Sequence, residues 1–343
     1  MKAHIRPGAI FLAIAVLLLA GCTSHVYYPL ESRAVPVSRA PAMEIFDFRP
    51  EAGRLVLDDS RSRRRGYAMR RFTMPASFEN GQPGNLLTGT YYASSLPGRR
   101  PLVIILPVWG VSEYPSRSMA GALVRRSRGR MNILRVDGKR RLMPWQSIAR
   151  SETPEQFAAR LSNAAARLRH AVIDARRLVD WAEQRREIDP DRIGLVGFSI
   201  SAVTGSLVVQ SDHRIRAAAL VMGGAEISRI VSRCPGNEEE TRTRVMRTLG
   251  LELSEYEAII RRVFRGLDPA DYPHRVDPSS ILLVDAGKDD CIPRASREAW
   301  WDALGRPERI SMNYSHRGSF LAMTPLGFNF LKRRVYQHLA RRL

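Results

Sequence analysis

Short apolar runs and longer amphipathic stretches alternate along most of this chain. The run 101–107, PLVIILP, is almost wholly apolar, as strands buried on both faces are. Further strand candidates lie at 54–57, 70–74 and 86–93 before it, and at 131–137, 193–196, 217–222, 281–285 and 309–314 after it. Helix candidates fall between them at 116–126, 153–187 and 296–304, with a C-terminal helix starting near residue 319. The 153–187 pattern is the strongest, because Phe157, Leu161, Leu168, Val172, Ala175, Leu178, Val179 and Ala182 recur on one face. Thr153 fits its N-cap, Pro154 its first position and Gln156 a capping box, and Asp189-Pro190 predicts its end. Strands alternating in this way with helices predict an α/β fold: a mostly parallel central sheet with helices on both faces.

Two stretches break the alternation. Residues 226–277 are polar and helix-rich, with Leu249, Leu251, Leu253, Ile259, Ile260 and Val263 suggesting two short amphipathic helices. An insertion of this length calls for a function of its own. The other stretch is the N-terminus. Lys2 and Arg6 precede an apolar run over residues 10–20, which is too short for a comfortable membrane span and has the layout of a secretory signal. Leu19-Ala20-Gly21-Cys22 resembles a bacterial lipobox. The resemblance implies a signal peptide over 1–21, cleavage before Cys22, and a lipoprotein held at the membrane by acyl chains such as palmitate. With Thr23 rather than aspartate after the cysteine, it further implies sorting to the outer membrane, facing the periplasm. Residues 22–42, with Pro29, Pro36 and Pro41 and no clear period, read as a tether. The body, 43–343, is expected to be one domain.

Charge alters this picture less than its size suggests. The formal net charge is +20, and with only four lysines among 54 basic residues, arginine numbers 54 − 4 = 50. These arginines are spread along the whole chain instead of gathering with aromatics on one face, so nucleic acid is not the expected partner. A positive surface also suits anionic lipid. Besides Cys22 there are two cysteines, Cys234 and Cys291; an exported compartment permits a bridge between them, and spacing does not decide whether it forms. There is no His-Glu-x-x-His or Cys-x-x-Cys, and GLVGFS lacks the glycine spacing of a phosphate loop, so no metal or cofactor is expected.

The candidate chemistry sits at RIGLVGFSIS, residues 192–201. Ser199 follows a strand and opens a helix, where a sharp corner lifts a serine hydroxyl clear of the sheet edge. Ser201 stands where the usual Gly-x-Ser-x-Gly pattern has its second glycine. The segments IDPDRIGLVGFSIS and GTYYASSLPGRRPLVIILPVWG resemble the dienelactone-hydrolase and prolyl-oligopeptidase-like branches of the α/β-hydrolase superfamily, over roughly residues 86–343. That resemblance implies a nucleophile at Ser199 and an acid in ILLVDAGKDDCIP. There Asp289, four residues before Pro293, matches the acid, with Asp290 and Asp285 as competitors. It implies a base at His316 in NYSHRGSF, giving the superfamily order Ser, Asp, His. The oxyanion donors would be the backbone amides of Ile200 and of Trp109 in the loop after 104–106, and the resemblance implies that the insertion 226–277 forms a cap over the site.

The expected activity is a serine hydrolase of EC class 3.1, carboxylesterase-like, that cleaves an ester or thioester of a small molecule through an acyl-enzyme. A peptidase of the same fold is the first rival; only about sixty residues separate Cys22 from the start of the resemblance, too few for a peptide-selecting propeller. A catalytically silent envelope scaffold is the second, and Ser201 is the one residue in its favour.

Overall fold

The computed structural model describes residues 25–31, 43–48, 54–58, 62–64, 66–78, 85–110, 112–139, 141–321 and 329–343. The signal segment, Cys22 and most of the stretch read as a tether lie outside them.

Among the described residues the strands are β1 (Val26–Tyr28), β2 (Val56–Leu57), β3 (Ser62–Arg64), β4 (Tyr67–Pro75), β5 (Leu86–Ser94), β6 (Arg100–Ile105), β7 (Asn132–Val136), β8 (Ile188–Phe198), β9 (Ile215–Val221), β10 (Ile281–Ala286) and β11 (Glu308–Met312). They form one sheet in the order β1-β11-β10-β9-β8-β6-β7-β5-β4-β2, with β3 on β4. From β7 to β11 the neighbours are parallel, and both flanks add antiparallel strands. The parallel strands are buried on both faces, which explains their unbroken apolar runs. β1 falls within residues read as a tether. It pairs with β11 by the register Val26↔Ser311, and Tyr28 packs on Trp301, so this part of the N-terminal segment is docked on the sheet edge.

The helices are α1 (Tyr114–Ser127), α2 (Trp145–Ile148), α3 (Pro154–Glu183), α4 (Ile200–Ser211), α5 (Ile227–Val231), α6 (Asn237–Leu249), α7 (Leu253–Val263), α8 (Arg294–Ala303), α9 (His316–Leu321) and α10 (Asn329–Arg342). α1 and α10 cover one face of the sheet, where Leu123, Val335 and Leu339 meet Val103 and Val196. α3 and α4 cover the other, where Leu161, Leu178 and Leu207 meet Leu102, Ile104 and Leu195.

α3 begins as its cap residues predict: Thr153 Oγ1 accepts from the Gln156 amide at 3.2 Å, and Gln156 Oε1 returns a bond to the Glu152 amide at 3.1 Å. It ends at Glu183, earlier than predicted. Asp189 and Pro190 lie inside β8, because the chain must enter that strand at Ile188 to pair with β6. The C-terminal segment predicted as one helix holds α9 and α10, with 322–328 between them outside the described residues.

The insertion 226–277 holds α5, α6 and α7; α6 packs on α2, α7 on α3, and α5 on α7 and α8. α7 starts with a complete capping box between Glu252 and Glu255. Asp268 ties the insertion down, since its carboxylate accepts the amides of Glu226 and Ile227 at 3.0 and 2.6 Å. Cys234, just past α5, is disulfide-bonded to Cys291 after β10, which answers a question the sequence leaves open. The bond closes a loop spanning a sequence separation of 57 residues. On the chain-entropy estimate such a loop contributes about 4 kcal/mol. A Cys234→Ala/Cys291→Ala variant is expected to lose about that much stability, read as a lower urea midpoint with a steeper slope from the more expanded unfolded chain. A midpoint within error of the parent would exclude a stabilising role for the bond.

Candidate active site

Ser199 sits between β8 and α4 with φ 52° and ψ −122°, a backbone region that costs a non-glycine residue of order 1–3 kcal/mol. Three contacts hold it there. Its amide donates to Val221 of β9 at 2.8 Å, and its carbonyl accepts from Ala202 at 2.8 Å. Gly197 supplies the third, because a Cβ there would lie 2.2 Å from the Ser201 carbonyl oxygen. Ser201 itself is fully buried, and its hydroxyl donates to the Pro107 carbonyl. The residue that departs from the usual glycine therefore fastens α4 to the loop after β6.

The strand ends bring three sequence-distant side chains together. Ser199 Oγ lies 3.1 Å from His316 Nε2. His316 Nδ1 lies 2.9 Å from Asp289 Oδ2. Asp289 Oδ1 accepts the amides of Cys291 and Ile292 at 2.9 and 2.7 Å, so both carboxylate oxygens are engaged and its orientation is fixed. The Asp289 side chain is wholly buried and that of His316 is 11 % exposed. This geometry lets Asp289 hold the imidazole with Nδ1 protonated, leaving Nε2 to accept from the serine.

The competing carboxylates are used elsewhere. Asp285 is buried and bound by Arg309, whose Nη2 and Nε donate to Oδ2 at 2.6 and 2.9 Å. Asp290 accepts the His316 backbone amide at 3.4 Å, a long contact that bears on the loop and not on the ring. Three other described histidines stand apart: His170 on Ser77, His338 on the Ser280 carbonyl, His25 stacked on Phe330.

Ser199 opens into a cavity of about 400 Å³. Trp109 and Ile200, the two residues expected to supply oxyanion donors, line it with Ser199. The insertion forms the opposite wall through Ile227, Ile230, Val231 and Phe264, and α2 adds Trp145. The disulfide lies in the same wall, two residues beyond Asp289. Sequence reading missed Glu238. This carboxyl, in the first turn of α6, lines the mostly apolar cavity together with Arg141 and Asn237. Burial pushes it above the usual carboxylate range, while the Trp145 indole and the charges of His316 and Arg317 pull the other way. No local pattern marks it, because it reaches the site only when the insertion folds over.

Among the described residues no group of three or more His, Cys, Asp or Glu side chains is placed to hold a metal ion, and no helix is long and apolar enough to cross a membrane.

No family model matches the chain, and no curated protein matches it in sequence. Solved structures do match in fold. The acetyl xylan esterase from Paenibacillus sp. R4 is 16 % identical with a TM-score of 0.62, over 87 % of this chain and 91 % of that one. Acetyl xylan esterase 1 from Thermoanaerobacterium sp. JW/SL YS485 is 14 % identical with a TM-score of 0.59, over 84 % and 88 %. A PEG-bound cold-adapted esterase from an Arctic intertidal metagenomic library is 16 % identical with a TM-score of 0.51, over 84 % and 99 %. The fold is therefore the α/β-hydrolase fold.

Proposed function

We propose that this protein is a serine hydrolase that cleaves carboxylic esters or thioesters of small molecules. The hydrogen-bonded series from Ser199 through His316 to Asp289, opening on a cavity, carries the reading. The names of the structural neighbours, all esterases, agree with it.

In this mechanism Ser199 Oγ attacks the substrate carbonyl carbon as His316 Nε2 takes its proton. The tetrahedral oxyanion is met by the amides of Ile200 and Trp109. Ile200 is the first residue of α4, so its N–H has no partner within the helix. The intermediate collapses by breaking the bond to the alcohol or thiol, which leaves with the proton from Nε2. Water then attacks the acyl-enzyme, gives its proton to Nε2, and the acid departs as Ser199 is restored. Asp289 keeps its charge throughout and holds the ring. Cys22 would carry the lipid that keeps this domain at the outer membrane, on the periplasmic side, as the lipobox-like segment implies.

A fluorophosphonate probe tests both parts in cells. The expected result is one covalent adduct, mapped to the peptide holding Ser199, in a protein that sediments with outer membranes and is released to the soluble fraction by Cys22→Ala. A folded protein without an adduct would remove the hydrolase reading. An adduct in a soluble parent would remove only the anchoring.

A further inference from the structure

A second cavity, of about 340 Å³, shares no lining residue with the catalytic one. It lies between α1 and the strands β4, β5 and β7. Four arginines line it: Arg71 from β4, Arg135 from β7, and Arg117 and Arg125 from α1. Tyr92 and Val124 complete an apolar side.

Carboxylates account for part of this charge. Asp137 lies 3.0 Å from Arg71 Nη2 and 2.6 Å from Arg135 Nη2. Glu113 pairs with Arg117 and lies 3.8 Å from Arg135 Nη1. Four guanidiniums against two carboxylates leave 4 − 2 = +2 at the cavity. Arg125 has no ion-pair partner among the described residues.

Arg135 is the informative member. Its side chain is 4 % exposed, and although Nη2 reaches Thr90 Oγ1 at 3.3 Å, neither Nε nor Nη1 makes a hydrogen bond. Asp137 Oδ1 and Glu113 Oε2 beside it are likewise without hydrogen bonds, so the charges here are paired by proximity and not by directed bonds, and a bound oxyanion would supply acceptors to the free donors. Guanidiniums bind tetrahedral oxyanions through paired N–H donors, and one such anion satisfies several arginines at once. The volume falls in the range of organic ligand sites and exceeds what a bare ion requires.

We infer that this arginine-lined cavity binds a phosphate-type oxyanion borne on an organic group, either a soluble phosphate monoester or the head-group phosphate of a phospholipid. The catalytic serine takes no part in it, so the inference stands or falls apart from the hydrolase reading.

Calorimetric titration of the full-length protein in detergent, at constant ionic strength, tests it with inorganic phosphate and glycerol 3-phosphate as probes. The expected result is saturable binding, weakened at least about tenfold in Arg125→Gln, which is about 1.4 kcal/mol. Arg244→Gln, which removes the same charge from the exposed face of α6, should bind like the parent, and both variants should melt as the parent does without ligand. Competition by phosphatidylglycerol but not by phosphatidylcholine, each added as mixed micelles with the same detergent, assigns the site to lipid; binding of glycerol 3-phosphate without such competition assigns it to a soluble ester. Absence of saturable binding, or equal weakening by Arg125→Gln and Arg244→Gln, would overturn the site and leave only general attraction to a basic surface.

Discussion

Ser199→Ala is expected to lower kcat/KM on a short-chain p-nitrophenyl ester by about 10⁵- to 10⁶-fold, the range found when a nucleophile that works as a unit with its base is removed. The loss should fall on kcat, because the alanine leaves the cavity walls in place. Stability should change by well under 1 kcal/mol. Alanine keeps the Cβ, so the strained corner at φ 52° persists, and the group lost is one half-buried hydroxyl bonded to His316. Residual hydrolysis above that of water would come from the oxyanion amides and binding alone. Activity within tenfold of the parent would show that another group attacks the carbonyl. Steady-state kinetics beside a thermal melt separates that outcome from misfolding.

The parts of this site that were legible in the sequence are those whose chemistry is local. Ser199 is marked by a strand that runs straight into a helix, with the small residues Gly197 and Ser201 two positions to either side, where strand and helix pack closely. His316 and Asp289 were reached through the superfamily resemblance, which left Asp290 and Asp285 as competitors; a parallel sheet delivers the ends of the strands that precede them to the same edge. The fold followed for the same reason: buried parallel strands announce themselves as apolar runs.

What stayed hidden depends on the tertiary arrangement. Ser201 looked like a defect in the motif, yet it is a buried donor to the Pro107 carbonyl, a partner 94 residues away. The choice among Asp285, Asp289 and Asp290 turned on which carboxylate meets His316 Nδ1, which is Asp289 at 2.9 Å, while Arg309 occupies Asp285 from the neighbouring strand. Glu238 and the Cys234–Cys291 bond depend on how the insertion folds back, which no periodicity within it encodes. The strand at Val26–Tyr28 was lost among prolines, because a three-residue edge strand is too short to show a period.

Asp289→Asn and Asp290→Asn are chemically identical changes at adjacent positions, and their expected effects differ by about three orders of magnitude. The asparagine at 289 can still accept the Cys291 and Ile292 amides through its oxygen, which leaves its NH₂ facing His316 Nδ1. A donor there favours the tautomer with hydrogen on Nε2. The ring then presents a proton to Ser199 where it should present a lone pair, and kcat is expected to fall by about 10⁴-fold with KM little changed. At 290 the carboxylate only accepts the His316 backbone amide at 3.4 Å, and an asparagine oxygen can take the same contact. A loss below about tenfold is therefore expected, since the imidazole and its tautomer are untouched. The fluorophosphonate labelling rate should follow kcat in both variants, because it reports activation of the same oxygen. Equal losses at the two positions, or the larger at 290, would mean that the carboxylate orienting His316 in solution is not the one 2.9 Å from its Nδ1.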